Sequence, residues 1–411
     1  MNKKEIIVIF ILLAVLLMAL SFVFVGDFEA KSQIIAGVPV QNNLRVNAPK
    51  INANTFIAPK IIKAVYLTGW SAGTPRKVDY VINLAKTTEI NAVVIDIKDF
   101  SGYVDYNTSL PQVNNYNAKQ IKISDIDSLV NEFHDNGIYT IARITVFQDP
   151  ILAKARPDLA IHKISALKTE LKTASSDLSI SSLWVDHKGL SWLDPAAKEV
   201  WAYNLAIAKD TLSHGFDEVN FDYIRYLSDG NLADMYFPVS GTNDEPGHET
   251  IKKFFRYLSF ELSGAKISVD IFGLSTVSAN DLGIGQIIED AFPYFDYIDP
   301  MVYPSHYASG FMGYANPAAH PYEIINYSLQ SALVRLQAFR ENEKTASGDG
   351  SARNAVLRPW LQDFNLGATY NSSMVKAEIN AVYDSLGTED FNGFMLWNPS
   401  NIYTAGALQK E

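Results

Sequence analysis

The chain of 411 residues contains no cysteine, which excludes disulfides, thiolate metal sites and cysteine nucleophiles together. That absence is compatible with life outside the cytoplasm in a cell that does not rely on disulfides. No long acidic or basic run is present either, and the net charge of -11 is spread along the sequence. Nucleic acid and general anionic surfaces are therefore not expected partners. The seven histidines are dispersed, with no H-x-H or H-E-x-x-H spacing, so a barrel metallohydrolase lacks its ligands. No Gly-rich turn opens the domain or follows its late strands, which removes the usual dinucleotide and phosphate sites. Neither metal nor cofactor is called for.

What is present is ordinary globular composition, 19% charged and 48% hydrophobic, enough for one large domain with a sizeable core. Lys3 and Lys4 precede an uncharged run from Ile6 to Gly26, about the length that crosses a ~30 Å hydrocarbon core. The positive flank predicts the N-terminus inside the cell membrane and the rest of the chain outside, as a single-pass protein. Phe28-Glu29-Ala30 is a poor small-x-small cleavage site, so an uncleaved signal anchor over residues 1–27 is expected in preference to a cleaved signal peptide. Residues 28–62, rich in Asn, Ala, Pro and Gln without sustained periodicity, read as a tether. Residues 63–411 read as the folded domain.

From Ala64 onward short β-rich runs alternate with helix-period segments, the signature of βα units around a parallel sheet. Strands are predicted over Ala64–Trp70, Ala92–Asp99, Tyr139–Phe147, Glu218–Tyr226, Lys266–Leu274, Tyr297–Tyr303, Val356–Phe364 and Gly393–Trp397. Their number points to an α/β fold, a (β/α)8 TIM barrel preceded by an N-terminal transmembrane helix, with a short or missing last helix. Asp194 ahead of Pro195, and Ser124 ahead of Asp125, read as helix N-caps. The connections Gln148–Asp194 and Leu227–His248 both follow strands and so fall at the top face, where barrels build clefts. Glu343–Ala355 precedes a strand and falls at the bottom as a tolerant loop.

The run GFDEVNFDYIRY, Gly215 to Tyr226, is the most informative. Alternation sets Val219 and Phe221 on one face and Asn220 and Asp222 on the other, which delivers Asp222 to the barrel mouth with Arg225 just beyond. Other strand ends offer Asp96 and Asp99, Arg143, Asp270, Tyr303 with His306, Trp360 with Gln362 and Asp363, and Trp397 with Asn398. Carboxylates beside aromatic platforms suit glycoside chemistry, in which one carboxyl donates a proton to the leaving oxygen and another attacks C1 or activates water. Taken singly, Asp222 with Arg225 reads as a structural ion pair and each aromatic as core; the case rests on their convergence.

The runs VYLTGWSAG (65–73), NAVVIDIKDFSGYV (91–104), IARITVFQDP (141–150), WLDPAAKEVWAYN (192–204), GFDEVNFDYIRY, DPMVYPSHYASGFMG (299–313), RPWLQDF (358–364) and GFMLWNPSN (393–401) resemble an uncharacterised glycoside-hydrolase-like family of prokaryotic envelope proteins distantly related to the α-amylases. The resemblance covers residues 64–404 and implies a (β/α)8 barrel. It maps the α-amylase-type nucleophile, at the end of the fourth strand, onto Asp222. The general acid at the end of the fifth strand is Glu in those relatives and Asp270 here, one methylene shorter. A third carboxylate late in the barrel maps by position onto Asp363, unless alternation turns it from the lumen. The expected protein is a membrane-anchored hydrolase of an extracellular or cell-wall polysaccharide, with Asp222 and Asp270 catalytic. Arg143 and Arg225 hold Asp222 ionised in this reading, while Asp96, Asp99, Tyr303, His306, Trp360, Gln362, Asp363, Trp397 and Asn398 contact sugar or tune the site. The alternatives are a non-catalytic carbohydrate-binding barrel and a glycan-processing transglycosylase.

Overall fold

A computed structural model describes residues 56–170, 178–242, 245–345 and 353–410. The apolar run expected to anchor the chain, and most of the 343–355 loop, lie outside the described residues. Among the described residues no helix is long and apolar enough to cross a membrane.

The strands are built to be covered on both faces. Ala92–Lys98, AVVIDIK, is buried at every position; Val93, Ile95 and Ile97 pack into the layer that includes the helices, while Ala92 and Val94 pack in a second cluster inside the barrel. Near-continuous apolar runs of this kind are what parallel strands require. We number the barrel strands β1 (Ile62–Leu67), β2 (Ala92–Lys98), β3 (Tyr139–Thr145), β4 (Glu218–Asp222), β5 (Lys266–Phe272), β6 (Tyr297–Met301), β7 in two pieces (Val356–Leu357 and Trp360–Gln362) and β8 (Gly393–Trp397). Each pairs in parallel with its neighbour, and β8 returns to β1 through Ile62 opposite Gly393. The eight strands thus close into the predicted (β/α)8 barrel.

Most strands end a few residues earlier than alternation alone suggested. After β4, Tyr223 takes a left-handed φ of 54°, a conformation uncommon outside glycine. Helices fall between the strands as expected, including Pro75–Thr87, Ile126–Asp135, Lys198–Ser213, Gly247–Glu261, Pro321–Thr345 and Ser372–Asp390. After β8 the chain forms only a short 3-10 turn, Ala405–Ala407. Among the additions that were not predicted, Val104–Tyr106 runs antiparallel to the end of β2 and pairs with Lys119–Ile123. A three-residue strand leaves too little alternation to detect.

Two expected caps are corrected. Asp125, not Ser124, caps its helix, accepting from the Ser128 amide at 2.9 Å. The helix after Asp194 starts only at Lys198, with Ala197 at the cap. Asp194 serves instead to join the two long top loops: it accepts from the Val239 and Ser240 amides, each at 2.8 Å, and from the Ala196 amide at 3.0 Å. The same loops pair as strands, His162–Lys163 antiparallel to Met235–Tyr236, and Trp184 donates from Nε1 to the Asn231 carbonyl at 2.9 Å. Asp194 is fully buried, and Asp194→Ala removes the acceptor of three half-buried amides, at about 0.5–1.5 kcal/mol each. The expected result is faster limited proteolysis within Leu227–His248 and a lower Tm; an unchanged cleavage rate would show that the loops hold together without it.

Candidate active site

Alternation along the strands selects what enters the lumen. On β4, Glu218, Asn220 and Asp222 rise toward the mouth in steps of two, level with Ser268 and Asp270 on β5, Asp299 on β6 and Arg143 on β3. Their charges separate into two tiers.

In the lower tier Arg358 is fully buried between Glu218 and Asp299. The upper tier is organised by Arg143. Its Nη1 lies 2.7 Å from Asp96 Oδ1 and its Nε 3.4 Å from Asp270 Oδ2, while Nη2 contacts Asp222 Oδ2. One planar fork of donors thus gathers carboxyl groups from β2, β4 and β5. Around it, the Tyr66 hydroxyl donates to Asp96, and the Tyr223 amide donates to Asp222 Oδ1 at 2.5 Å. Asp270 Oδ1 accepts from Trp360 Nε1 at 2.7 Å and from Asn220 Nδ2 at 2.9 Å. Asn220 also reaches Asp299 Oδ2 at 3.2 Å, linking the tiers.

Three carboxyl groups around one guanidinium cannot all ionise cheaply in a buried site. Burial and then the charge of Asp222 push the Asp270 carboxyl well above the usual carboxylate range, against the pull of Arg143. Burial also raises Asp96, with Arg143 and the Tyr66 hydrogen bond opposing. For Arg143 itself burial disfavours the cation, but Asp222 and Asp96 outweigh it and the guanidinium stays charged. Burial and the neighbouring charge thus favour the neutral form of Asp270 beside an Asp222 that is paired with Arg143.

Above this floor opens a cavity of about 570 Å³, lined by Asp222, Asp270 and Arg143 and walled by Tyr66, Tyr303, Tyr307, His306, Trp360 and Trp397. Its size lies in the range of small-ligand sites. Trp397 is the hub of the aromatic wall, with ring centroids 6.1 Å from Tyr66, 6.0 Å from Tyr303 and 5.0 Å from Phe364. His306 is held neutral-leaning, its pKa lowered by burial.

The structure thus brings Asp222, Asp270, Arg143, Tyr303, His306, Trp360 and Trp397 to one cavity, with Asp96 directly beneath, and it places five predicted site residues elsewhere or in other roles. Arg225 lines the cavity but does not pair with Asp222: its Nη1 donates to the Tyr226 carbonyl at 3.0 Å and to Ser228 Oγ at 3.2 Å. Arg143 alone pairs with Asp222. Asp99 is drawn outside to Lys122, 2.6 Å away. Asp363 faces away from the lumen, as alternation allowed, accepting from the Thr404 amide and hydroxyl at 2.7 and 2.6 Å. Gln362 is buried against Ser305 and Phe364, and Asn398 braces the β8 turn through the Asp363 carbonyl and the Ser400 amide. Tyr66 and Asn220 were missed as site residues, although alternation from Ile62 and from Glu218 would have reached both. The spelling Gly69-Trp70-Ser71-Ala72-Gly73 matches G-x-S-x-G, the pattern of a serine nucleophile turn. Ser71 sits on the short helix Gly69–Ala72, and among the described residues no histidine bonds to it, so the base such a serine needs is lacking.

Residues 64–403 match the DUF4015 family, described as a putative glycosyl hydrolase domain. The chain belongs to this family. No curated protein matches it by sequence. Among solved structures it is similar to a hypothetical protein from Ruminiclostridium thermocellum, at 37% identity over 50% of this chain and 96% of that one, with a TM-score of 0.43. It is also similar to the PgaB (BpsB) glycoside hydrolase domain from Bordetella bronchiseptica, at 11% identity over 85% and 99% of the two chains, with a TM-score of 0.53. The α-galactosidase TtGalA from Thermus thermophilus aligns at 11% identity over 84% and 59%, with a TM-score of 0.46. At 11% identity the PgaB likeness bears on the fold, and it agrees with the barrel.

Proposed function

We propose that this family member is a glycoside hydrolase acting on a polysaccharide or oligosaccharide, with Asp222 as nucleophile or principal carboxylate and Asp270 as acid/base. The observation that carries the reading is the shared guanidinium: Arg143 contacts Asp222 and Asp270 together at the floor of an aromatic-walled cavity. A carboxyl group biased by burial toward its neutral form, beside a second one paired with a guanidinium, is what acid-assisted cleavage through an oxocarbenium-like transition state requires. Trp360 and Trp397 would stack on the apolar face of a sugar ring, and Tyr303 and His306 would border it. The N-terminal run after Lys3 and Lys4 supports a single-pass anchor with the barrel outside the cell membrane, which would direct the enzyme to envelope or extracellular glycan.

The test is release of reducing ends from a panel of polysaccharides by the full chain, compared with Asp222→Asn. Activity that survives Asp222→Asn, or glycan binding without hydrolysis of any member, would favour a carbohydrate-binding barrel instead.

A smaller change probes the acid directly. The indole N–H of Trp360 donates to Asp270 and so favours the ionised carboxylate. Trp360→Phe keeps an aromatic ring but removes that donor, which raises the Asp270 pKa further. The acid form is the active one, so the alkaline limb of the kcat/KM profile is expected to move to higher pH. A limb that stays in place or moves lower would show that Asp270 does not set it.

A further inference from the structure

One cation at the cavity is not accounted for by the carboxylate floor. Arg225 is only 8% exposed, yet no carboxylate lies within ion-pair distance of it among the described residues. The other buried or half-buried described arginines are all paired: Arg143, Arg156, Arg335, Arg340, Arg353 and Arg358 each face an Asp or Glu. Arg225 is instead clamped between rings, its guanidinium carbon 4.8 Å from the centroids of both Trp192 and Phe272 and 5.5 Å from that of Tyr223. Only Nη1 is engaged, by the Tyr226 carbonyl and Ser228 Oγ, which leaves Nε and Nη2 as donors on a residue that lines the cavity.

The nearby acids are committed elsewhere. Asp186 accepts from the Lys188 and Leu190 amides, each at 2.9 Å, and from Trp192 Nε1 at 3.0 Å. Asp229 accepts from the His187 amide at 3.1 Å. Burial, the largest influence, lowers the Arg225 pKa, so the site carries a desolvation cost that an incoming anion would offset. A second cation stands beside it: Lys188 is exposed, lines the same cavity, and its ammonium makes no ion pair among the described residues. The cavity therefore has an acidic floor at Asp222 and Asp270 and a cationic wall at Arg225 and Lys188. A neutral glycan could take only ordinary hydrogen bonds from that wall, whereas an anion would also balance its charge. Ring stacking holds a guanidinium in one plane, and a fixed fork of free donors is suited to an oxyanion.

We propose that Arg225, with Lys188 at the rim, forms a subsite for an anionic substituent, so that the substrate is an acidic glycan bearing carboxylate or phosphate groups. The inference names the substrate class for the hydrolase reading above and rests on it. The floor cleaves and the wall selects.

The experiment measures binding of glucose, glucuronate and glucose 6-phosphate to the full chain in detergent micelles by ligand-detected NMR, alongside hydrolysis of matched neutral and acidic polysaccharides. At least one of the two acids is expected to bind about tenfold or more tightly than glucose, a ratio worth roughly 1.4 kcal/mol. Which of the two does so separates a carboxylate from a phosphate substituent. Arg225→Gln should collapse the acid-to-neutral ratio, Arg225→Lys should keep part of it, and Lys188→Gln, an exposed change without folding cost, should reduce it. Raising salt should weaken the acid and spare glucose. Equal binding of glucose and both acids, no binding of either acid, or a ratio unmoved by Arg225→Gln in a variant of native near-UV dichroism would overturn the subsite. Hydrolysis of neutral polysaccharide that depends on Asp222 but shows no charge preference would end the subsite and keep the hydrolase. Acid-selective, Arg225-dependent binding with no hydrolysis would do the reverse.

Discussion

Asp222→Asn is expected to lower kcat on a cleaved polysaccharide by on the order of 10⁴-fold, the scale at which loss of a principal catalytic group is felt. The substitution is nearly isosteric and leaves an acceptor for the Tyr223 amide, so the barrel should fold and the loss should report on chemistry. Asp270→Asn should behave differently, and the contrast is the sharper test. Proton donation contributes about 10²–10⁴-fold, but only where the leaving group needs the proton. A polysaccharide leaves as a poor alkoxide and should show the full loss. An aryl glycoside with an acidic phenol leaves unaided, and its cleavage by Asp270→Asn should fall far less. Asp222→Asn should lose both substrates alike. Rate measurements on both substrates with both variants settle the assignment: equal losses for Asp270→Asn on the two substrates would remove it as the acid, and a retained rate for Asp222→Asn would remove the carboxylate mechanism altogether. The anomer first released, read by NMR, then gives the stereochemical class; retention would fit carboxyl groups about 5–5.5 Å apart and inversion about 6.5–9.5 Å.

How far these residues were readable in advance depended on whether their role was set within a strand or between strands. Period-two alternation is a local property, so GFDEVNFDYIRY placed Asp222 on the lumen face, while Asp270 was reached as a strand-end residue and through the family resemblance; the structure brings both to one cavity. The order of strands and helices was legible for the same reason: runs such as AVVIDIK are buried on both sides and carry few polar letters. Pairings across the barrel have no such signature. Arg225 is three residues from Asp222 and looked like its partner, yet beyond the left-handed turn at Tyr223 it lines the cavity with its Nη1 turned to Tyr226 and Ser228, and Arg143 reaches Asp222 from the neighbouring strand. Asp99 likewise follows Asp96 closely but sits past the end of β2, where Lys122 claims it. Asp194 carried every local mark of an N-cap; two of the amides it satisfies belong to another loop more than forty residues later, which no local pattern encodes. The lower tier was invisible for a further reason. Asp299 and Arg358 could be assigned only to the ends of their own strands, far in sequence from Glu218, and only closure of the barrel makes the three one cluster.

Arg358→Leu is therefore expected to be the most destabilising single change in the barrel. The guanidinium, with no solvent exposure, donates from Nε and Nη2 to Asp299 at 3.1 and 2.8 Å and from Nη1 and Nη2 to Glu218 at 3.1 and 2.6 Å, and lies 4.1 Å over the Tyr297 ring. Removing one partner of a buried ion pair costs about 3–5 kcal/mol, a large part of the roughly 5–15 kcal/mol that holds a domain together. The loss should depend on pH with a definite sign. Burial, opposed by Arg358, already pushes the Asp299 carboxyl up to about 7. A carboxyl raised on folding contributes stability that is present below its unfolded pKa and is lost as pH rises through the folded one. In the intact protein that window spans the range from the ordinary carboxylate value of about 3.9 to the raised one. Without the guanidinium the folded pKa rises further, so Arg358→Leu should be closer to wild type near pH 5, where Asp299 can take up a proton, than near pH 8, where two buried carboxylates face each other unpaired. Denaturant unfolding at the two pH values measures this. Adding Glu218→Gln and Asp299→Asn to Arg358→Leu should recover much of the loss, because replacing a whole buried charge cluster is far milder than breaking it. Asn220 hydrogen-bonds both Asp299 and Asp270, so the single variant should also disturb the acid above it, and a pH–rate profile shifted by a substitution one tier below the cavity would show that the two tiers act as one electrostatic unit. An Arg358→Leu protein as stable as wild type at both pH values would instead mean that the lower tier is a passive filling of the barrel.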